Sequence, residues 1–232
     1  MKKVRLAQIL LLSILFGCAV KENKNSDLTK SPGYIAEVAA IKHCFNSFKS
    51  AIINANGEKA IEFVDENTHN YAIRILDLTK TADRDTFNEL RLIDKMVILI
   101  IRHQSTIENI LEMQPETFFS QAMQNGLVGQ STIKVCDIGE VVISGDKANA
   151  EYLLADEYTN LDIGFTKEGG YWKIDINSIL PFQEESFLKM IESYGKVEAK
   201  SLLRVLETFT GKRPSHNIWD PIVPDSARVE TI

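Results

Sequence analysis

The residues able to do acid–base or nucleophilic chemistry are scattered along the chain. Asp137 falls in the same alternation phase as Ile133, Val135 and Val141. A regular strand would therefore aim its carboxylate into an apolar face, where burial raises a carboxyl pKa and suits a general base. A bulge over Asp137 to Gly139 would instead turn the acid to water. His43, His69 and His103 have no mutual spacing that makes a metal site or a dyad, and each reads as a surface or hydrogen-bonded structural histidine. Cys44 beside His43 is a poor nucleophile pair, because adjacent helical residues point about 100° apart. HExxH, paired CxxC, GxSxG and phosphate-cradling glycine loops are all missing, which speaks against a common hydrolase or nucleotide enzyme. No metal, cofactor or catalytic residue is assigned.

The N-terminus carries an address. Lys2, Lys3 and Arg5 precede Leu6 to Phe16, an apolar stretch interrupted by Gln8 and Ser13. A bilayer span needs about 20 apolar residues as helix, so this stretch reads as a secretory h-region. Leu15-Phe16-Gly17-Cys18 at its end resembles the lipobox of bacterial lipoproteins, in which a cysteine after a small residue is acylated and becomes the new N-terminus. Phe16 departs from that pattern, which usually has a small or β-branched residue there. The resemblance implies residues 1–17 as signal peptide, Cys18 as the lipid attachment site, and a membrane-anchored protein of the bacterial cell envelope. Residue 19 is Ala and not Asp, which in a Gram-negative cell points to the periplasmic face of the outer membrane.

Composition fits that address. The chain has 232 residues, of which 44% are hydrophobic and 25% charged, and a net charge of −6, as expected of a globular domain able to bury one core. Removing residues 1–17 leaves 23 basic against 32 acidic side chains. Such an acidic chain repels phosphate backbones, so nucleic acid is excluded as a partner and a basic protein is admitted as one. Residues 18–33, rich in Lys, Asn and Ser, read as a flexible tether. An exported compartment permits a disulfide between Cys44 and Cys136; two separately buried thiols are the other reading.

The elements that must position these residues follow from periodicity. Val38, Ile41, Phe45, Phe48 and Ile52 lie at helical spacing, ending near Asn54 to Gly57; a second helical segment spans Glu58 to Leu78 with a break near Asp65 to Asn67. Asp83 to Thr86 starts a helix running through Ile100 that is apolar on more than one side and so reads as the core helix. Pro115 opens a short helix, Glu116 to Asn125. From Ser131 the period becomes two. Four strands follow, around Ile133 to Ile143, Ala148 to Leu154, Leu161 to Phe165 and Trp172 to Ile176, with turns at Ser144 to Lys147, Thr159-Asn160 and Glu168 to Gly170. Short turns require an antiparallel meander. A last helical region, Glu184 to Phe209, breaks at Gly195. Residues 211–232, with Pro214, Pro221 and Pro224, read as an extended tail with Trp219 as an anchor.

The expected fold class is α+β: N-terminal helices packed on a curved antiparallel four-stranded meander, with an additional C-terminal helix. The Phe45-Asn46-Ser47-Phe48 helix, the Asn56 to Ala60 turn, and the Gly145 to Ala148 and Gly169 to Asp175 segments resemble the nuclear-transport-factor-2-like superfamily. That resemblance implies a domain over residues 34–210 in which helices fill the concave face of a curled sheet, often around an apolar pocket. Candidates for its lining are Asp137, His43, Tyr71 and Tyr152. The expected function is non-catalytic binding of a small apolar ligand, a glycan or a protein partner. The alternatives are an isomerase or dehydratase using Asp137 or a histidine, and an immunity or assembly module presenting its acidic surface.

Overall fold

A computed structural model describes residues 31–115, 117–118, 133–195 and 198–223. Its helices start where short polar side chains can cap them. α1 (Pro32–Ile53) has Ser31 accepting the Tyr34 N–H, and it begins two residues inside the segment read as a tether. α2 (Gly57–Ile61) is capped by Asn56, α3 (Glu66–Thr81) by Asp65 and α4 (Arg84–Glu89) by Asp83. α5 (Leu92–Gln104) has no side-chain bond from its own N-cap residue, Arg91. α6 (Ile107–Glu112) was not anticipated and is capped by Thr106. The helix expected over Glu116 to Asn125 and the anchor Cys18 lie outside the described residues, apart from Thr117 and Phe118.

Four strands form an antiparallel sheet in sequence order: β1 (Cys136–Ser144), β2 (Lys147–Leu154), β3 (Glu157–Glu168) and β4 (Tyr171–Asp175). After β4 come a 3-10 turn (Ile176–Ile179), α7 (Leu180–Tyr194) and α8 (Glu198–Thr210), with the expected break at Gly195 (φ 137).

Three boundaries differ from the periodicity reading. β1 begins at Cys136, because Ile133 belongs to a helical turn. The β2–β3 turn is Ala155-Asp156 (φ 50 and 67), the doubly positive geometry of a tight hairpin. Asn160 (φ 60) instead sits inside β3, where the register shifts between Glu151 and Leu153; its tolerance of positive φ serves a bulge and not a turn. Lastly, the long helix expected from Asp83 is interrupted, since Leu90 and Arg91 are extended (ψ 153 and 150) and separate α4 from α5.

α1 lies against the sheet and buries Ile41, Cys44, Phe45, Phe48 and Ile52 there. Its Tyr34 hydroxyl donates to the Val141 carbonyl of β1 (2.7 Å), and its Glu37 accepts from Lys167 Nζ (2.6 Å) and from the Trp172 indole of β4. In a flat sheet β1 and β4 would stand about 14 Å apart, wider than a helix about 10 Å across. The sheet curls so that both edge strands reach α1. The free edge of β4 is closed by residues 63–65: the Ile174 N–H donates to Phe63 O (2.8 Å) and the Asp65 N–H to Ile174 O (2.9 Å).

A second layer is helical. α5 packs against α3, α7 and α8, and its Leu92, Ile93, Met96, Ile98, Leu99, Ile100 and Ile101 are all buried, as expected of the core helix. Residues 211–223 fold back on this layer and are not an extended tail. Ile218 is buried, Trp219 meets Phe87 edge to face at 5.2 Å, and the Ile222 and Val223 N–H groups donate to Lys80 O. Arg102 ties these parts together, donating to the carbonyls of Leu78, Thr79 and Ala82 at the end of α3 and of Ile218 in the tail.

Candidate polar cleft at Tyr71

The residues singled out in the sequence do not converge. Asp137 is exposed, with Cys136 and Ile138 on either side of it buried. The bulge falls just after it, between Ile138 and Val141, and switches the buried phase so that Val141 and not Glu140 returns to the core. The general-base geometry is therefore absent. His43 is exposed on α1. His69 Nε2 lies 3.2 Å from Ile61 O and His103 Nε2 lies 3.0 Å from Thr210 Oγ1, both hydrogen-bonded structural histidines. Tyr152 pairs its hydroxyl with Cys136 Sγ, and burial pushes the phenol up. Cys44 and Cys136 are not bridged. Cys44 Sγ donates instead to Phe63 O (3.6 Å), and burial, partly opposed by Lys173, pushes its thiol up to about 12.

Tyr71 is the candidate that does line a cleft. The cleft is an open surface depression of about 370 Å³ where α3, the start of α5 and the 3-10 turn meet, lined by Asn67, Asn70, Tyr71, Arg74, Arg91, Asn177 and Leu180. α3 presents Asn67, Asn70, Tyr71 and Arg74 at positions i, i+3, i+4 and i+7, one face of a helix. Its placement starts at Asp65, which caps the Thr68 N–H (2.9 Å) and also accepts from Thr166 of β3 (3.1 Å). Thr68 Oγ1 takes the Ile176 N–H (3.0 Å), and Asp175 takes that of Asn177 (3.0 Å). These bonds bring the 3-10 turn, with Asn177, against α3. Asn177 Oδ1 is buried and has no hydrogen-bond donor among the described residues.

Beneath the cleft lies Asp94, whose side chain is 2% exposed. One carboxylate oxygen accepts from the Tyr71 hydroxyl (2.9 Å) and Arg91 (3.0 Å), the other from Arg74 (2.8 Å) and Arg91 Nε (3.1 Å). Burial alone would raise this carboxyl; the hydrogen bonds from Arg91, Arg74 and Tyr71 outweigh it and hold the group below its ordinary range. A carboxylate offers about four lone-pair sites, and here all are filled. Tyr71 is pushed up, first by burial and then by the Asp94 charge. The guanidinium carbons of Arg74 and Arg91 sit 5.3 and 5.8 Å from its ring centroid, within cation–π range.

Sequence reading reached Tyr71 and missed its neighbours. Two signals were present: the polar i, i+3, i+4, i+7 face of α3, and a lone acid, Asp94, inside the apolar run from Leu92 to Ile101. Among the described residues there is no cluster of metal-ligating side chains and no helix long and apolar enough to cross a membrane.

The fold and the cleft define a class, an α+β protein with a curled four-stranded meander and a polar cleft beside it. No known family, no curated protein and no solved structure matches the chain.

Proposed function

We propose that this chain is a lipid-anchored protein of the bacterial cell envelope whose folded part is a non-catalytic binding module, and that the Tyr71 cleft is its ligand site. The observation that carries the binding half is the saturation of Asp94. With every lone-pair site occupied, it has none left to take a substrate proton, and Tyr71, already donating, is held protonated. The group instead orients Arg74 and Arg91. The lining, mostly amide and guanidinium, favours a polar ligand over an apolar one. The anchoring half rests on the Lys2 to Cys18 segment. α1 held by both edge strands of a curled sheet is the arrangement that a nuclear-transport-factor-2-like domain would have, and it supports that reading of the fold.

Native mass spectrometry of the detergent-extracted protein tests the proposal. The expected spectrum carries the acyl mass on Cys18 and a co-purified small molecule that Arg74→Gln releases. A chain without acyl mass overturns the anchor, and a molecule retained unchanged by the variant overturns the site.

A further inference from the structure

We infer that the Tyr71 cleft accepts a small hydroxylated carboxylate, of the class of sugar acids, with the carboxylate against Arg74 and Arg91 and the hydroxyls against Asn67, Asn70 and Asn177. The inference rests on the cleft being a ligand site and names the ligand's chemistry.

Charge comes first. The charged side chains that line the cleft are the two arginines, 43% and 47% exposed, while the carboxylate that orients them is buried beneath. A guanidinium has five N–H groups. Arg74 gives one of them to Asp94 and Arg91 gives two, so most of each fork has no protein acceptor among the described residues. Forks held in place and short of acceptors match a carboxylate, which they bind through two parallel bonds. Glu184, whose charge also acts on Arg91, has both oxygens on the backbone N–H groups of Leu92 and Ile93 and is not part of the lining.

The amides add the second requirement. Asn67 and Asn70 are exposed on the same face of α3, and each offers a donor and an acceptor. Asn177, which also lines the cleft, has a buried oxygen with no donor among the described residues. The amide oxygens of the exposed Asn67 and Asn70 are acceptors to which a ligand hydroxyl can donate. A bare anion supplies no such donor, and a neutral sugar leaves the forks unmatched. A volume of about 370 Å³ lies at the small end of ligand sites, which suits a single small molecule.

Titration calorimetry of the full-length, detergent-solubilised protein with D-glucuronate, D-galacturonate, D-gluconate, D-glucose and inorganic phosphate, at one ionic strength, decides the matter. At least one of the three acids is expected to bind ten or more times tighter than glucose, since charge-assisted bonds exceed neutral ones by about that factor, and tighter than phosphate, which carries no polyhydroxyl chain to meet the amides. Arg74→Gln should weaken that binding about tenfold. Asn70→Ala, at an exposed position that leaves folding intact, should weaken it about threefold. Glucose binding as tightly as the acids would overturn the carboxylate class and leave the cleft a ligand site. Phosphate matching them would show a general anion site and overturn the hydroxylated-carboxylate class. No binding by any acid, while native mass spectrometry shows a co-purified molecule that Arg74→Gln releases, would overturn the class alone; silence in both measurements would overturn the class and the binding reading together.

Discussion

Glu184 on α7 caps α5 from across the fold: its two carboxylate oxygens accept the backbone N–H groups of Leu92 and Ile93, each at 2.8 Å. The first N–H groups of a helix have no intrahelical partner, and a negative charge there also meets the positive end of the helix dipole. Arg91 precedes α5 and cannot cap it, because a guanidinium has donors and no acceptor; its side chain donates to Asp94. Glu184 supplies the missing cap.

Glu184→Ala should therefore destabilise the protein by about 1–2 kcal/mol, the usual cost of a lost N-cap. Chemical denaturation measures it. Glu185→Ala is the control: that side chain is exposed and, among the described residues, pairs with Lys189 of its own helix, so it should change stability by about 0.5 kcal/mol or less. Equal effects of the two variants would show that the long-range cap contributes nothing.

Asp94→Ala leaves two guanidinium groups and the Tyr71 hydroxyl without their acceptor. Both arginines are about half exposed and regain water, which holds the loss below that of a fully buried pair, to about 2–3 kcal/mol. The pH dependence has a definite sign. The Asp94 carboxyl is lowered in the folded chain, so the folded state binds its proton less readily than the unfolded state does. Its contribution is complete above the unfolded value of about 3.9 and is lost as pH falls through the lower folded value. The stability difference between wild type and Asp94→Asn should be constant from pH 7 to about 5 and shrink below about pH 4. A difference that grew toward acid would contradict the hydrogen-bonded carboxylate.

The Cys44 thiol, raised to about 12 by burial, should be inert to alkylation at pH 8 in the native protein, because the thiolate is the reacting form. In a Cys18→Ser background, iodoacetamide should label Cys44 and Cys136 only after denaturant is added. Intact mass should be the same with and without reductant. A non-reduced mass lower by two hydrogens would reveal the bridge that the folded chain lacks.

Trp219→Ala removes the aromatic contact with Phe87, and Arg102 stands over the other partner at 5.2 Å from the Phe87 centroid. The expected loss is about 2 kcal/mol, below the cost of a fully buried tryptophan because Trp219 keeps some exposure. Limited proteolysis should then cut within residues 211–223 faster than in the wild type. An unchanged digestion pattern would mean that this anchor does not hold the returning segment.

The order of helices and then strands, the antiparallel meander, the buried face of α1 and the break at Gly195 are legible in the sequence alone. Each follows from spacing within a few residues: apolar side chains at three and four, alternation at two, glycines where φ must be positive. The cleft is not legible in that way. Asn177 reaches α3 through Thr68, α5 is capped by a glutamate more than ninety positions later, and Asp94 is tolerated in a core helix because Arg74 and Tyr71 come from a different helix. The same holds for Asn160, whose turn-forming type was evident but whose use as a bulge depended on the register of β2 against β3. Periodicity reports which face of an element is apolar. Which polar groups meet across elements is decided by how those faces dock, and docking brings together side chains that no local pattern relates.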